Sequence, residues 1–251
     1  MPLASLAHRV SRTAHRAPPV SAHADHPLNA AGRAQAESLL QALRAGGDAA
    51  SEVLGVEGVM CSPLTRAVET CLIGLEPLLL RGDGRSAADG APRTVLLNPN
   101  LREKRNFGGK DSSGRWKGEA LRAGVRGAIR ELLADAPERA AALCAVPLDL
   151  THVHEKWWLN SAEADGAVAD RLAELLFQIR FSRAASQALV GHSHFFRELF
   201  RHFLAPGCTL RDAAGRTLDV AALASRKLSN AGIARCELDF DAHPQTPVVA
   251  V

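Results

Sequence analysis

Val59-Met60-Cys61-Ser62-Pro63-Leu64-Thr65-Arg66-Ala67-Val68-Glu69-Thr70 is the stretch on which the fold class turns. Val59 to Cys61 is a short apolar run of strand type. Ser62-Pro63 follows as a capping residue and a proline at the first helical position, where a missing N–H costs nothing. Leu64, Val68, Cys71, Leu72 and Leu75 then repeat at helical spacing. A buried strand that turns tightly into an amphipathic helix is one half of a β-α unit, and the alternation continues on both sides. Upstream, Gly32 to Leu43 reads as a helix with Ala36, Leu39, Leu40 and Leu43 on one face and Asn29 as its N-cap. Downstream, Thr94 to Leu97 reads as a buried strand stopped by Asn98-Pro99-Asn100. Val168, Leu172, Leu175, Leu176 and Ile179 mark an amphipathic helix. Ala188-Leu189-Val190 is a strand leading into His192, and Phe195, Phe196, Leu199, Phe200 and Phe203 line the next helix. Ala234, Cys236, Leu238 and Phe240 alternate with Arg235, Glu237 and Asp239, as on an edge strand with one wet face. The pattern predicts a single α/β domain over residues 1–251, a three-layer α/β/α sandwich with a mainly parallel central sheet. Residues 81–92 read as a Gly-rich surface loop. The less regular stretch at about 110–165, with a helix near 119–133, reads as a helical insertion over the active-site edge of the sheet.

The bulk numbers exclude several classes. A chain of 251 residues that is 47% hydrophobic and 23% charged is ordinary for a globular protein with a sizeable core. No apolar run approaches the roughly 20 residues that span a bilayer, so no membrane partner is expected. A net charge of +3 without a basic stripe argues against nucleic acid. The five cysteines, Cys61, Cys71, Cys144, Cys208 and Cys236, are scattered, with no C-x-x-C pair. They fit reduced thiols of a cytoplasmic protein better than a disulfide frame or a zinc site. The first 24 residues carry Arg9, Arg12 and Arg16, no acid, and many Ala and Ser. That composition resembles an organellar transit peptide; the alternative is a basic N-terminal segment that belongs to the fold.

Three polar clusters sit where strands end, the edge at which open α/β sheets bind ligands. Arg66 falls in the first turn of its helix, where free N–H groups and the dipole favour an anion that a guanidinium can hold bidentately; a solvated surface arginine is the other reading. Glu103, within Leu101-Arg102-Glu103-Lys104-Arg105-Asn106-Phe107-Gly108-Gly109, stands beside three cations. It can donate a proton to a leaving group or simply form surface ion pairs. His192, within Gly191-His192-Ser193, lies between a strand end and a helix start and can serve an oxyanion, or be a structural histidine.

Taken in order, these clusters resemble the histidine phosphatase (phosphoglycerate mutase-like) superfamily. Its Ser-Pro-Leu-x-Arg-Ala-x-x-Thr helix start is met by Ser62 to Thr70, its Leu-x-Glu loop with a Gly-Gly by Leu101-Arg102-Glu103 through Gly108-Gly109, and its late histidine by His192 followed by Ser193. Asp25-His26-Pro27-Leu28-Asn29-Ala30-Ala31-Gly32 is similar to the family's Asp-x-x-Leu-Thr-x-x-Gly helix start, and Leu228-Ser229-Asn230-Ala231 to its C-terminal Asn turn. The resemblance runs from about Asp25 to Phe240. It implies phosphomonoester hydrolysis through a phosphohistidine on a small phosphorylated metabolite or a phosphoprotein, without metal or cofactor. Arg66 and Ser193 would bind substrate, protonated His192 would neutralise charge, and Glu103 would act as acid and base.

The sequence departs from the family at its N-terminus, where no Arg-His-Gly occurs. Ala7-His8-Arg9 and Ala14-His15-Arg16 are the two stand-ins, and the distance from Leu28 favours His8 as nucleophile. Ala7 then replaces the phosphate-clamping arginine, and Arg9 the glycine that admits close backbone approach. Two other functions remain open: a phosphoglycerate mutase-type phosphotransferase, and a catalytically silent phosphoanion-binding or scaffold protein. Trp157 and Trp158 can line the substrate pocket from the 110–165 stretch or pack that stretch onto the sheet, and packing is the favoured reading.

Overall fold

Alternate residues of three strands face opposite sides of one sheet, and this organises the molecule. The structure is a computed structural model that describes residues 24–80, 92–105, 112–212 and 215–251. The chain begins with helices α1 (Ala30–Ala45) and α2 (Asp48–Leu54), then strand β1 (Gly58–Cys61), helices α3 (Thr65–Gly74) and α4 (Glu76–Leu80), and strand β2 (Val95–Leu97). A 3-10 turn (Pro99–Leu101) precedes α5 (Gly118–Leu132), α6 (Pro137–Ala145), β3 (Leu148–Asp149), α7 (Asp165–Arg180), β4 (Gln187–Val190) and α8 (Ser193–Phe203). The C-terminal part holds β5 (Leu204–Arg211), β6 (Thr217–Leu218), α9 (Ala221–Ser225), β7 (Glu237–Leu238) and β8 (Val248–Ala250).

The main sheet is parallel, in the order β3-β2-β1-β4. Val59 and Cys61 of β1, Val95 and Leu97 of β2, and Ala188 and Val190 of β4 join the core built with α1, α3, α5 and α6. Met60, Leu96 and Leu189 point the other way, into a core with Leu172 and Leu175 of α7 and Phe195 and Leu199 of α8. Period-2 alternation thus puts helices on both faces. The expected helices form where the apolar stripes lie: α1 starts at Asn29, whose side chain accepts from the Gly32 N–H at 2.9 Å, and stops at Gly46 with φ 82°.

Two expectations change. The stretch at about 110–165 is not merely laid over an edge. After β2 the chain runs through α5 and α6 and returns as β3, which pairs parallel with β2 and extends the main sheet. Its buried apolar face (Leu121, Val125, Ile129) packs α5 into the same core as α3. The alternating C-terminal run is a strand over only two residues, β7. It belongs to a second, mixed sheet in the order β6-β5-β8-β7, where β7 pairs antiparallel with β8.

Trp157 is buried and donates its indole N–H to the Trp116 carbonyl at 3.0 Å, with Trp158 packed edge-on at 5.3 Å. Gly114 lies under both rings, since a Cβ there would collide with each of them. These tryptophans therefore pack the segment that follows β3 against the one that leads into α5. Among the described residues no helix is long and apolar enough to cross a membrane.

Candidate active site

From β1 the chain moves to β2 and β3 on one side and then crosses to β4 on the other. The carboxyl ends of β1 and β4 therefore flank the point where strand order reverses, the place an open α/β sheet offers to a ligand. Cys61 pairs with Val190 and Leu97, and the Ser62 and Asn98 amides continue the ladder by donating to the Val190 and Cys61 carbonyls, each at 2.8 Å.

Ser62 and His192 meet across this point. His192 Nε2 lies 2.9 Å from Ser62 Oγ, and both residues are buried. His192 is the N-cap of α8 in extended conformation, but its ring is engaged by Ser62 and not by the helix's first amides. Burial, reinforced by the positive charges of Arg66 and Arg171, holds the imidazole pKa well below its usual 6.5. Burial thus favours the neutral imidazole at pH 7. These surroundings therefore disfavour the protonated form that the resemblance implies.

Arg66 occupies the first turn of α3, half-buried, and its electrostatic effect on His192 puts the two at one site. The local reading of α3's start needs correction. The helix begins at Thr65, and its cap comes from 40 residues upstream: Asp25 accepts from the Thr65 N–H at 2.7 Å and from Thr65 Oγ1 at 2.9 Å. Asp25 takes a left-handed backbone (φ 55°), which short polar side chains tolerate. Burial raises the Asp25 carboxyl, against the lowering effect of its Thr65 bonds and of Arg66. Ser62 Oγ keeps only a long contact with the Leu64 amide, at 3.4 Å, and serves His192 instead.

Glu103 lies just beyond the 3-10 turn that leaves β2, half-buried, with its Oε1 accepting from the Lys104 amide at 2.9 Å. The turn touches the β4–α8 junction directly. A Cβ on Gly191 would stand 3.3 Å from the Leu101 carbonyl and 3.2 Å from the Phe196 ring, so only glycine fits without displacing one of them. Ser193 is the first residue of α8, half-buried beside His192. His8, and the Gly108-Gly109 of the Glu103 loop, lie outside the described residues. Among the described residues no group of three His, Cys, Asp or Glu is arranged to hold a metal ion.

Reading the sequence missed Asp25 as the cap of α3 and Ser62 as the partner of His192. It also missed Arg171, which sits within the apolar stripe Val168, Leu172, Leu175 of α7 and is buried. A charged residue on that face was the available signal, because a buried arginine needs a partner.

The fold and this site define an α/β protein with an arginine, a buried histidine and two helix N-termini gathered at the switch point of a parallel sheet. Residues 10–81 match the histidine phosphatase superfamily (branch 1). The matched residues include α1, β1, α3 and Arg66 and take in His15; they begin after His8 and end before Glu103 and His192. No curated protein matches the chain.

Proposed function

We propose that the protein is a phosphomonoester hydrolase acting through a phosphohistidine, with a small phosphorylated metabolite or a phosphoprotein as substrate. The observation that carries this reading is Arg66 and a neutral, buried His192 sharing the switch point where α3 and α8 begin. Helix N-termini and a guanidinium together suit a phosphoryl group.

In the proposed first step an imidazole nitrogen of His8 bonds to phosphorus, the ester P–O bond breaks, and Glu103 gives its proton to the leaving oxygen. In the second, the Glu103 carboxylate takes a proton from water. The water oxygen bonds to phosphorus and the P–N bond breaks, returning imidazole and inorganic phosphate. Arg66, the α8 N-terminus at Ser193, and a His192 that becomes protonated on binding stabilise charge on the equatorial oxygens.

A second reading, a silent phosphoanion-binding protein, is favoured by Ala7 and Arg9 on either side of His8. Hydrolysis of an aryl phosphate separates the two. His8→Ala is expected to abolish turnover and acid-labile labelling, His15→Ala to leave both, and His192→Ala to cost ~10²–10³ in rate. Wild type that binds vanadate yet shows neither turnover nor labelling refutes the hydrolase and leaves the silent reading.

A further inference from the structure

The segment carrying Glu103 is held by its backbone. Arg171 Nη1 donates to the Asn100 carbonyl at 2.7 Å and to the Arg102 carbonyl at 3.0 Å. The Glu163 amide donates to the Arg105 carbonyl at 3.0 Å. Glu103 and Lys104 therefore lie between two anchored carbonyls. The anchors are themselves joined: Arg171 grips Glu163 bidentately, Nε to Oε1 at 2.7 Å and Nη2 to Oε2 at 2.9 Å. Arg102 adds a third contact, donating to Glu163 Oε1 at 2.7 Å and to the Pro99 carbonyl at 3.1 Å. Glu163 and Arg171 are both buried. The Arg171 guanidinium also stacks on Phe195 at 4.9 Å, three residues after His192.

We propose that the buried Glu163–Arg171 pair is a positioning unit that fixes the Glu103 segment against the β4–α8 turn bearing His192. A buried ion pair seldom adds much net stability over apolar residues of the same size. What this one supplies is geometry: two backbone carbonyls before Glu103 are aimed at one guanidinium, and the guanidinium is oriented by one carboxylate. Neither residue touches substrate in this scheme; each acts through Glu103. The proposal rests on the phosphohydrolase reading for Glu103's role as proton donor, whereas the anchoring is independent of it.

The test uses Glu163→Gln in the full chain, with Arg171→Lys as a second variant that keeps the charge but loses the fork. Two measurements are made at a temperature where circular dichroism shows each variant folded. The first is amide hydrogen exchange. Exchange over residues 99–105 is expected to rise at least tenfold in Glu163→Gln while β1 and β4 stay protected; unchanged exchange in 99–105 in both variants overturns the proposal. The second compares an alkyl phosphate, whose poor leaving group needs an acid, with 2,4-dinitrophenyl phosphate, which does not. Misplacing Glu103 is expected to cost on the order of 10²-fold on the alkyl ester and little on the dinitrophenyl ester. An equal loss on both esters also overturns the proposal, since general loosening of the fold has no leaving-group preference. If wild type hydrolyses neither ester, the phosphohydrolase reading falls, and hydrogen exchange alone decides whether the pair holds the segment.

Discussion

Replacing Glu69 by glutamine should have an effect on stability that grows across the neutral pH range. Glu69 lies on α3, fully buried, one turn beyond Arg66. One carboxylate oxygen accepts from the Leu28 amide at 2.5 Å, and the other, Oε1, has no hydrogen-bond partner among the described residues. Burial raises its pKa from an ordinary 4.5 to about 7, with Asp25 and Glu131 adding to the rise and the Leu28 bond opposing it. The folded state thus binds this proton more tightly than the unfolded chain. The stability it contributes is fully present below about pH 4.5 and is lost as the pH climbs through about 7. At about 1.4 kcal/mol per pH unit, the gap between the two values makes ionised Glu69 a burden of about 3 kcal/mol. A glutamine in its place would keep an acceptor for Leu28 and carry no charge. Whatever its unpartnered amide costs is the same at every pH. Urea unfolding of both proteins from pH 4.5 to 8.5 should show Glu69→Gln gaining about 3 kcal/mol relative to wild type over that range, most of it between pH 5 and 7.5. A stability difference that stays flat with pH would refute the account of a strained buried carboxyl.

Sulfate, which keeps its double charge across this range, should bind more tightly as the pH falls, by up to ~10-fold per unit, because His192 must take up a proton to meet it. Calorimetry in buffers of different ionisation heat should find about one proton taken up by wild type and none by His192→Gln; Arg66→Ala should weaken sulfate ~10-fold or more. Equal affinity in Arg66→Ala and wild type would make Arg66 a mere surface residue. Asp25→Ala strips the buried Thr65 amide of its acceptor and places alanine in a left-handed conformation, so thermal or urea unfolding should report a loss of about 2 kcal/mol. A loss below a few tenths would mean that α3 does not depend on its distant cap.

Elements written in a local pattern were legible. The stripes of α1, α7 and α8 and the apolar runs of β1, β2 and β4 each follow from residues within a dozen positions of one another, and the strand ends that form the site follow from them. Partners set by long-range contact were not. Ser62 looks like a helix cap from its neighbours, yet the cap is Asp25 and the hydroxyl goes to His192, 130 residues on. β5 starts directly at the end of α8 with Pro206 and Gly207 inside it, and its parallel partner β8 comes some forty residues later, so neither period nor turn residues announce the second sheet. β3 is only two residues long and owes its place to pairing with β2, which is why 110–165 looked like an insertion. The nucleophile has no such local pattern: with no Arg-His-Gly, spacing alone favours His8, which lies outside the described residues.

Asp25 and Leu28 grip α3 at two successive turns, through the Thr65 amide and through Glu69. These four residues make α3, and with it Arg66, answerable to the chain's early part. A protease cutting ahead of Asp25 would leave both grips in place, whereas a cut after Leu28 would release them together and uncap the helix. For the placement of Arg66 the boundary therefore falls within Asp25-His26-Pro27-Leu28, whereas the proposed nucleophile His8 is lost with any cut between it and Asp25.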